Sequence, residues 1–126
     1  QPPMDSGKAV TLTVDTHVRK GGHTWYMVQC SLGNGNGNEA SISWEAPRRL
    51  MMLRCDLHDR VKEWMLEDYA ATFAATPFAK LGGPRGTTAR LRAWLETLAS
   101  AINEGRVPPG TAAATLAFFL CPRPSG

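Results

Sequence analysis

The side chains best suited to chemistry in this sequence are basic ones, concentrated between residues 48 and 92. This stretch holds nine lysines and arginines against five acids, and four of the acids fall within residues 59–68. The Arg48-Arg49 pair and residues 80–92 therefore contain no acid of their own. Such residues are most often solvated helix surface. A site that binds an anion would need only three or four of them.

Residues that could catalyse a reaction or bind a metal form no recognisable pattern. His17, His23 and His58 share no metal-ligand spacing. Cys55, His58 and Asp59 lie within about one turn of a predicted helix, where proximity is automatic and carries little information. No Gly-x-Ser-x-Gly, His-Glu-x-x-His or Gly-x-Gly-x-x-Gly sequence is present. We therefore expect a binding domain without a cofactor rather than an enzyme.

Length and composition favour a single folded domain. The chain has 126 residues, of which 43% are hydrophobic and 20% charged, a composition typical of globular rather than disordered proteins. We place the core at about residues 8–121, with tails at residues 1–7 and 122–126. A net charge of +3 is small for a protein that binds nucleic acid, so no nucleic-acid partner is expected.

Cysteine usage and hydropathy indicate a cytoplasmic domain. Cys30, Cys55 and Cys121 are odd in number and form no Cys-x-x-Cys pair, which predicts neither a disulfide framework nor a zinc site. No apolar run approaches the roughly 20 residues that span a bilayer, and the first residues lack a signal-peptide core. Any membrane contact is therefore expected to be peripheral.

The first half of the sequence predicts a three-stranded antiparallel meander. Residues 10–19 alternate between apolar and polar, the period of a half-buried strand. The Gly21-Gly22 pair predicts a hairpin turn into a second strand at residues 23–32. The glycine and asparagine repeat at residues 33–38 predicts a loop, and it lacks the Lys-Ser/Thr of a phosphate-binding loop. A third strand is predicted at residues 39–44, with Trp44 on the same face as Ala40 and Ile42.

The second half predicts three helices. The first begins at Pro47 and shows an apolar stripe at spacings of three and four. Its members are Leu50, Leu53, Leu57, Val61 and Trp64. A loop at residues 76–86 separates it from a second helix, capped by Thr88 and stopped by Gly105, and a last helix covers residues 111–120. The predicted class is therefore α+β, in the order β-β-β-α-loop-α-α, with the meander packed against a helical subdomain.

This order and two local segments resemble the PX domain, the phosphoinositide-binding module of sorting nexins and NADPH-oxidase organisers. The resemblance covers roughly residues 10–120. Residues 44–53, Trp-Glu-Ala-Pro-Arg-Arg-Leu-Met-Met-Leu, are similar to the family's third strand running into an Arg-Arg-Tyr-x-x-Phe helix start. Residues 76–98 are similar to its proline-containing loop with a lysine, followed by an arginine-bearing helix. The chain departs from the family where Leu50 and Leu53 replace aromatics, and its next apolar residues come one position late.

The resemblance implies a set of ligands for a phosphoinositide headgroup. Arg49 matches the arginine that holds the 3-phosphate of phosphatidylinositol 3-phosphate, and Arg48 is the basic residue beside it. Leu50 takes the place of the aromatic that stacks on the inositol ring, and Lys80 matches the lysine that reaches the 1-phosphate. The family's second arginine aligns near Thr87, so that Arg85 or Arg90 would have to replace it.

The resemblance also implies membrane targeting. Phe78 and Leu81 in the loop would insert into the bilayer interface, as this loop does in the family, while the alternative for Phe78 is packing beneath the loop as core. The expected function is recruitment of a larger protein to endosomal-type membranes during protein transport. The alternative is a degenerate PX-like module that binds a protein partner without specific lipid binding.

Overall fold

The structure, a computed structural model, describes residues 8–34, 42–79 and 86–120. Three strands come first and helices follow, which confirms the expected α+β class and the antiparallel sheet. The elements are β1 (Lys8–Lys20), β2 (His23–Asn34), β3 (Ile42–Arg48), α1 (Leu50–Met52), a π-helical segment (Leu53–His58), α2 (Asp59–Met65), α3 (Asp68–Thr72), α4 (Thr87–Asn103) and α5 (Pro109–Leu120).

The β1–β2 hairpin turns on the expected glycine pair. Gly21 and Gly22 have φ of 63° and 81°, values that residues without a Cβ adopt readily. The two strands pair in register until a β-bulge between Val14 and Thr16. Before the bulge the even-numbered residues of β1 face the core. Beyond it the odd-numbered His17 lies opposite the buried Tyr26, so the bulge has exchanged the two faces of the strand.

The third strand corrects the predicted start of the first helix. Pro47 was expected to begin that helix, but it lies within β3 and pairs with Met27. Proline is tolerated there because β3 is an edge strand and needs no donor on its outer side. The helix begins at Leu50 instead. Residues 39–41 of the predicted strand lie outside the described part of the chain.

Residues 50–65 form one continuous helical stretch that contains the π-helical segment. A π turn holds one residue more than an α turn. Leu57 and Val61 are therefore buried at the positions that come one residue later than the family pattern. The same shift buries Met65 and leaves Trp64 37% exposed, so the prediction that Trp64 belongs to the apolar stripe is wrong.

The remaining helices agree with the sequence except at their beginnings. The short α3 was not predicted. Helix α4 begins one residue before the expected cap, with Gly86 in the capping position, and its chain turns away at Gly105 with φ of 73°. Helix α5 begins at Pro109, where a first-turn proline loses no hydrogen bond. None of the described helices is both long and apolar enough to cross a membrane.

Helix α4 closes the core by packing across the inner face of β1. The most deeply buried side chains come from these two layers and from the helical stretch at residues 50–65. They include Leu12, Val14, Val28, Leu53, Val61, Leu91, Trp94, Leu95 and Leu98. At the far end of α4, the Asn103 side chain accepts a hydrogen bond from the Val10 amide and donates one to the Val10 carbonyl, each at 2.9 Å. Side chain and backbone together thus fix β1 on α4.

Candidate anion-binding groove

A groove of about 820 Å³ lies where three parts of the fold meet. The β1–β2 hairpin contributes His17, His23 and Tyr26, the β3–α1 junction contributes Arg49 and Leu50, and the amino end of α4 forms the third side. The described walls thus combine cationic side chains with the start of a helix. Both features favour an anionic ligand.

Arg49 stands at the point where the extended backbone of β3 becomes helical. Its φ of −84° and ψ of 155° are extended, and its carbonyl already accepts the first helical hydrogen bond, from the Leu53 amide at 3.0 Å. The side chain is half-buried and lines the groove. Within the described residues its guanidinium forms no ion pair with a carboxylate. Its planar donors remain available for an anion.

Arg48 does not share this environment, because successive side chains of a strand point to opposite faces. It is only 2% exposed, and its guanidinium donates to the carbonyls of Pro47 and Phe118, both at 2.7 Å. The guanidinium also lies over the Phe118 ring, 5.2 Å from its centroid. The expectation that Arg48 binds a headgroup is therefore corrected: this arginine joins β3 to α5 in the interior.

The amino end of α4 faces the groove without a side-chain cap. Gly86 caps it with φ of 78°, and its carbonyl accepts from the Arg90 amide at 2.9 Å. The first amides of a helix have no acceptor within it, and here the first turn carries no acid. The Thr88 hydroxyl lies 3.1 Å from Nδ1 of His17, which ties the helix to the hairpin. The free amides at the start of α4 therefore direct partial positive charge at the groove.

Thr87, the position aligned with the family's second arginine, is buried at the floor of this end of the groove. Its side chain hydrogen-bonds to Tyr26. Burial raises the pKa of the Tyr26 hydroxyl, and the bond to Thr87 opposes that rise. The tyrosine therefore stays neutral at physiological pH and serves as a packing residue with one polar contact.

Arg92 is a groove residue that the sequence analysis missed. It lines the groove, and its Nη1 lies 2.8 Å from Oδ1 of Asp15, the residue at the β-bulge. Arg90, which was expected to take this role, is exposed on α4 and does not line the groove. The i, i+4 spacing from Thr88 to Arg92 was the signal available in the sequence, because such residues share a helix face.

The predicted ligands Lys80 and Arg85 and the predicted membrane-inserting residue Leu81 lie outside the described residues. Among the groove residues that are described, Arg49 and Arg92 carry positive charge and Asp15 carries negative charge.

Phe78 packs in an aromatic cluster of described residues, in agreement with the alternative that it belongs to the core. Its ring centroid lies 4.5 Å from that of His58 and 5.2 Å from that of Trp94. The Arg54 guanidinium covers the same ring at 5.8 Å. Its expected insertion into a bilayer does not fit these contacts, because the ring would have to leave the core cluster it packs against.

The cysteine and histidine side chains do not assemble a reactive site in the described residues. The Cys55 sulfur contacts Sδ of Met51 at 3.6 Å, whereas His58 turns inward and pairs with Asp59 at 2.8 Å. Cys30 is buried, and burial raises the pKa of its thiol to about 12, so it stays protonated. Among the described residues, no group of three or more histidine, cysteine, aspartate or glutamate side chains is arranged to hold a metal ion.

No protein-family model matches the chain, and no curated protein matches it.

Proposed function

We propose that this chain is a PX-like domain that binds phosphoinositides, with phosphatidylinositol 3-phosphate as the preferred lipid, and that it recruits a larger protein to endosomal-type membranes. The observation that carries the proposal is the groove in which Arg49 meets the amino end of α4. The resemblance assigned the phosphate-binding arginine to the strand-to-helix junction, which is one wall of this groove.

The chemistry of the groove suits a phosphate on a small polar ring. A guanidinium fork can donate two parallel hydrogen bonds to phosphate oxygens, and it remains charged at any physiological pH. The helix start at Gly86 supplies backbone donors and favourable dipole from the other side. The volume of about 820 Å³ lies in the range of sites for small ligands.

Leu50 lines the groove where the family has an aromatic residue. It offers apolar contact to one face of a ring but no flat π-surface. Charge should therefore supply a larger share of the binding free energy than it would with an aromatic residue at this position. Affinity should weaken as salt concentration rises.

Substitution of Arg49 tests the proposal. Arg49→Ala removes charge-assisted hydrogen bonds that contribute on the order of 1.5–3 kcal/mol, which corresponds to a loss of roughly tenfold or more in affinity. Co-sedimentation with phosphatidylcholine vesicles, with and without phosphatidylinositol 3-phosphate, measures that loss. The melting temperature should be unchanged, because a partly exposed arginine contributes little to stability.

Arg90→Ala is the matched control, since it removes the same charge from an exposed site outside the groove. It should keep the preference for the phosphorylated lipid. Equal losses in the two variants would mean that binding follows net charge rather than the groove.

The alternative function, a module that binds a protein partner, is favoured by a separate observation. A depression of about 440 Å³ on the outer face of the hairpin is lined by apolar side chains, including Val18, Trp25 and Met27. A wild-type chain without preference for phosphatidylinositol 3-phosphate would make this second function the better account, with Leu50 as the cause of the lost lipid binding.

A further inference from the structure

Among the described residues that line the groove, Asp15 supplies the single carboxylate. Asp15 pairs with Arg92 at 2.8 Å, while Arg49 on the β3–α1 side has no such partner among the described residues. The Asp15 and Arg92 side chains are 63% and 42% exposed, so both can meet a ligand. The groove therefore has two chemically different ends.

The position of Asp15 follows from the β-bulge. The bulge leaves Asp15 without a partner on β2 and exchanges the faces of β1 on either side of it. The ion pair that results is not needed for stability, because exposed pairs contribute about 0–1 kcal/mol. The pair would therefore act on a bound ligand rather than on the stability of the fold.

A carboxylate beside a guanidinium suits hydroxyl groups rather than phosphate. The carboxylate accepts a hydrogen bond from a hydroxyl, and the guanidinium donates one to the same group or its neighbour. A phosphate at this end would be repelled by the negative charge of Asp15. It would also compete with Asp15 for the Arg92 guanidinium. Arg49 offers no such competition.

We propose that Asp15 is a specificity-determining residue, which restricts the groove to polyol headgroups with a single phosphomonoester. The phosphate lies at Arg49, and free ring hydroxyls lie at the Asp15–Arg92 pair. This inference rests on the proposed function and names the class of headgroup that the groove selects. Headgroups with a second phosphomonoester bind more weakly because Asp15 repels the second phosphate.

The test compares phosphatidylcholine vesicles that carry phosphatidylinositol 3-phosphate with vesicles that carry phosphatidylinositol 3,5-bisphosphate. Asp15→Asn should raise affinity for the bisphosphate about fivefold and change affinity for the monophosphate by less than about twofold. Soluble glycerophosphoinositol 3-phosphate and glycerophosphoinositol 3,5-bisphosphate, in which the 1-phosphate stays a diester as in the lipids, separate headgroup binding from attraction to the bilayer surface when measured by calorimetry. The same change in preference is expected for both pairs of probes.

Two further variants isolate the mechanism. Glu63→Gln removes one negative charge from an exposed ion pair with Arg60, away from the groove, and should leave the preference unchanged. Asp15→Asn combined with Arg92→Gln should lose the gain seen with Asp15→Asn alone, because Arg92 is the residue that the second phosphate would bind.

The outcomes separate this inference from the proposed function. A wild-type chain that binds neither lipid overturns both. A wild-type chain that prefers the monophosphate, with the same preference in Asp15→Asn, overturns the role of Asp15 alone. An equal gain for both lipids, or a gain seen only on vesicles, also overturns it, because either result would assign the effect to overall charge.

Discussion

Two neighbouring arginines illustrate how position rather than residue type sets a role. Arg48 ends β3 with its side chain turned inward, and Arg49 is the next residue, turned toward the groove. Arg48 and Trp44 together supply donors to the last turn of α5, at the carbonyls of Phe118 and Phe119. Carbonyls at a helix end have no partner within the helix, so these side chains act as its cap.

Arg48→Ala should therefore destabilise the protein without removing its ligand-binding residue. The change leaves the Phe118 carbonyl without this donor and opens space beside a buried ring, for an expected loss of about 2 kcal/mol or more in the free energy of unfolding. Urea denaturation measures that loss. Arg49→Ala is the comparison, with unchanged stability and weakened vesicle binding. The reverse result for the two variants would contradict the assignment of their roles.

His58 is the buried titratable group of the aromatic cluster. Burial lowers the pKa of His58 from its usual 6.5, and the hydrogen bond to Asp59 opposes that effect without cancelling it. The ring stands edge-on to Tyr69, 5.6 Å between centroids, and packs against Phe78. The folded protein therefore holds this proton less tightly than the unfolded chain does.

That difference predicts a stability that depends on pH. Above pH 6.5 His58 is neutral in both states and its contribution is fully present. As the pH falls below that value the unfolded chain takes up the proton first, and stability falls until the folded protein is protonated as well. His58→Gln should flatten the fall in melting temperature between about pH 7 and 5. An unchanged slope in His58→Gln would mean that His58 is not the cause.

At the scale of elements, periodicity located the strands and helices but could not give the helical geometry. The stripe from Leu50 to Val61 predicted a helix correctly, while an α-helical period placed Trp64 on its buried face. The π-helical segment moves that face by one residue. The prediction that the first helix begins at Pro47 was wrong, because a proline in the first turn of a helix and a proline in an edge strand look alike in sequence. Only the pairing of β3 with β2 distinguishes them.

The hairpin is a further element that we expect to touch a membrane, since Phe78 packs against the core cluster. Val18 is 45% exposed beside Trp25, whose indole nitrogen donates to the Lys20 carbonyl. His23 lines both the groove and this outer surface. A bilayer that presents a headgroup to the groove would therefore also meet the hairpin tip. Tryptophan and lysine are suited to that interface.

Val18→Asp should weaken binding to vesicles with phosphatidylinositol 3-phosphate about fivefold, because it removes apolar contact and adds charge. Binding of soluble glycerophosphoinositol 3-phosphate should not change, since Val18 does not line the groove. Thr11→Asp makes the same charge change on β1 far from the tip and should have no effect. Unchanged vesicle binding in Val18→Asp would instead assign this patch to a protein partner.

At the scale of the whole molecule, the predictable part of the site is the part encoded locally. Arg49 and Leu50 follow directly from a strand that runs into a helix, and a short motif was sufficient to identify them. Asp15 and Arg92 meet only because a bulge shifts one strand and a distant helix lies across it. No spacing in the sequence encodes that meeting, since the two residues lie 77 positions apart.

The clamp between Asn103 and Val10 joins residues 93 positions apart, and it has a consequence for synthesis. The β1–β2 hairpin can form within about 1–10 μs of leaving the ribosome. The helix that covers its apolar face ends about 70 residues after the hairpin does, and at 5–20 residues per second it follows on the order of ten seconds later. For that interval the growing chain exposes the apolar sheet face that α4 will cover, so we expect it to be a target for chaperones before it can bind a ligand.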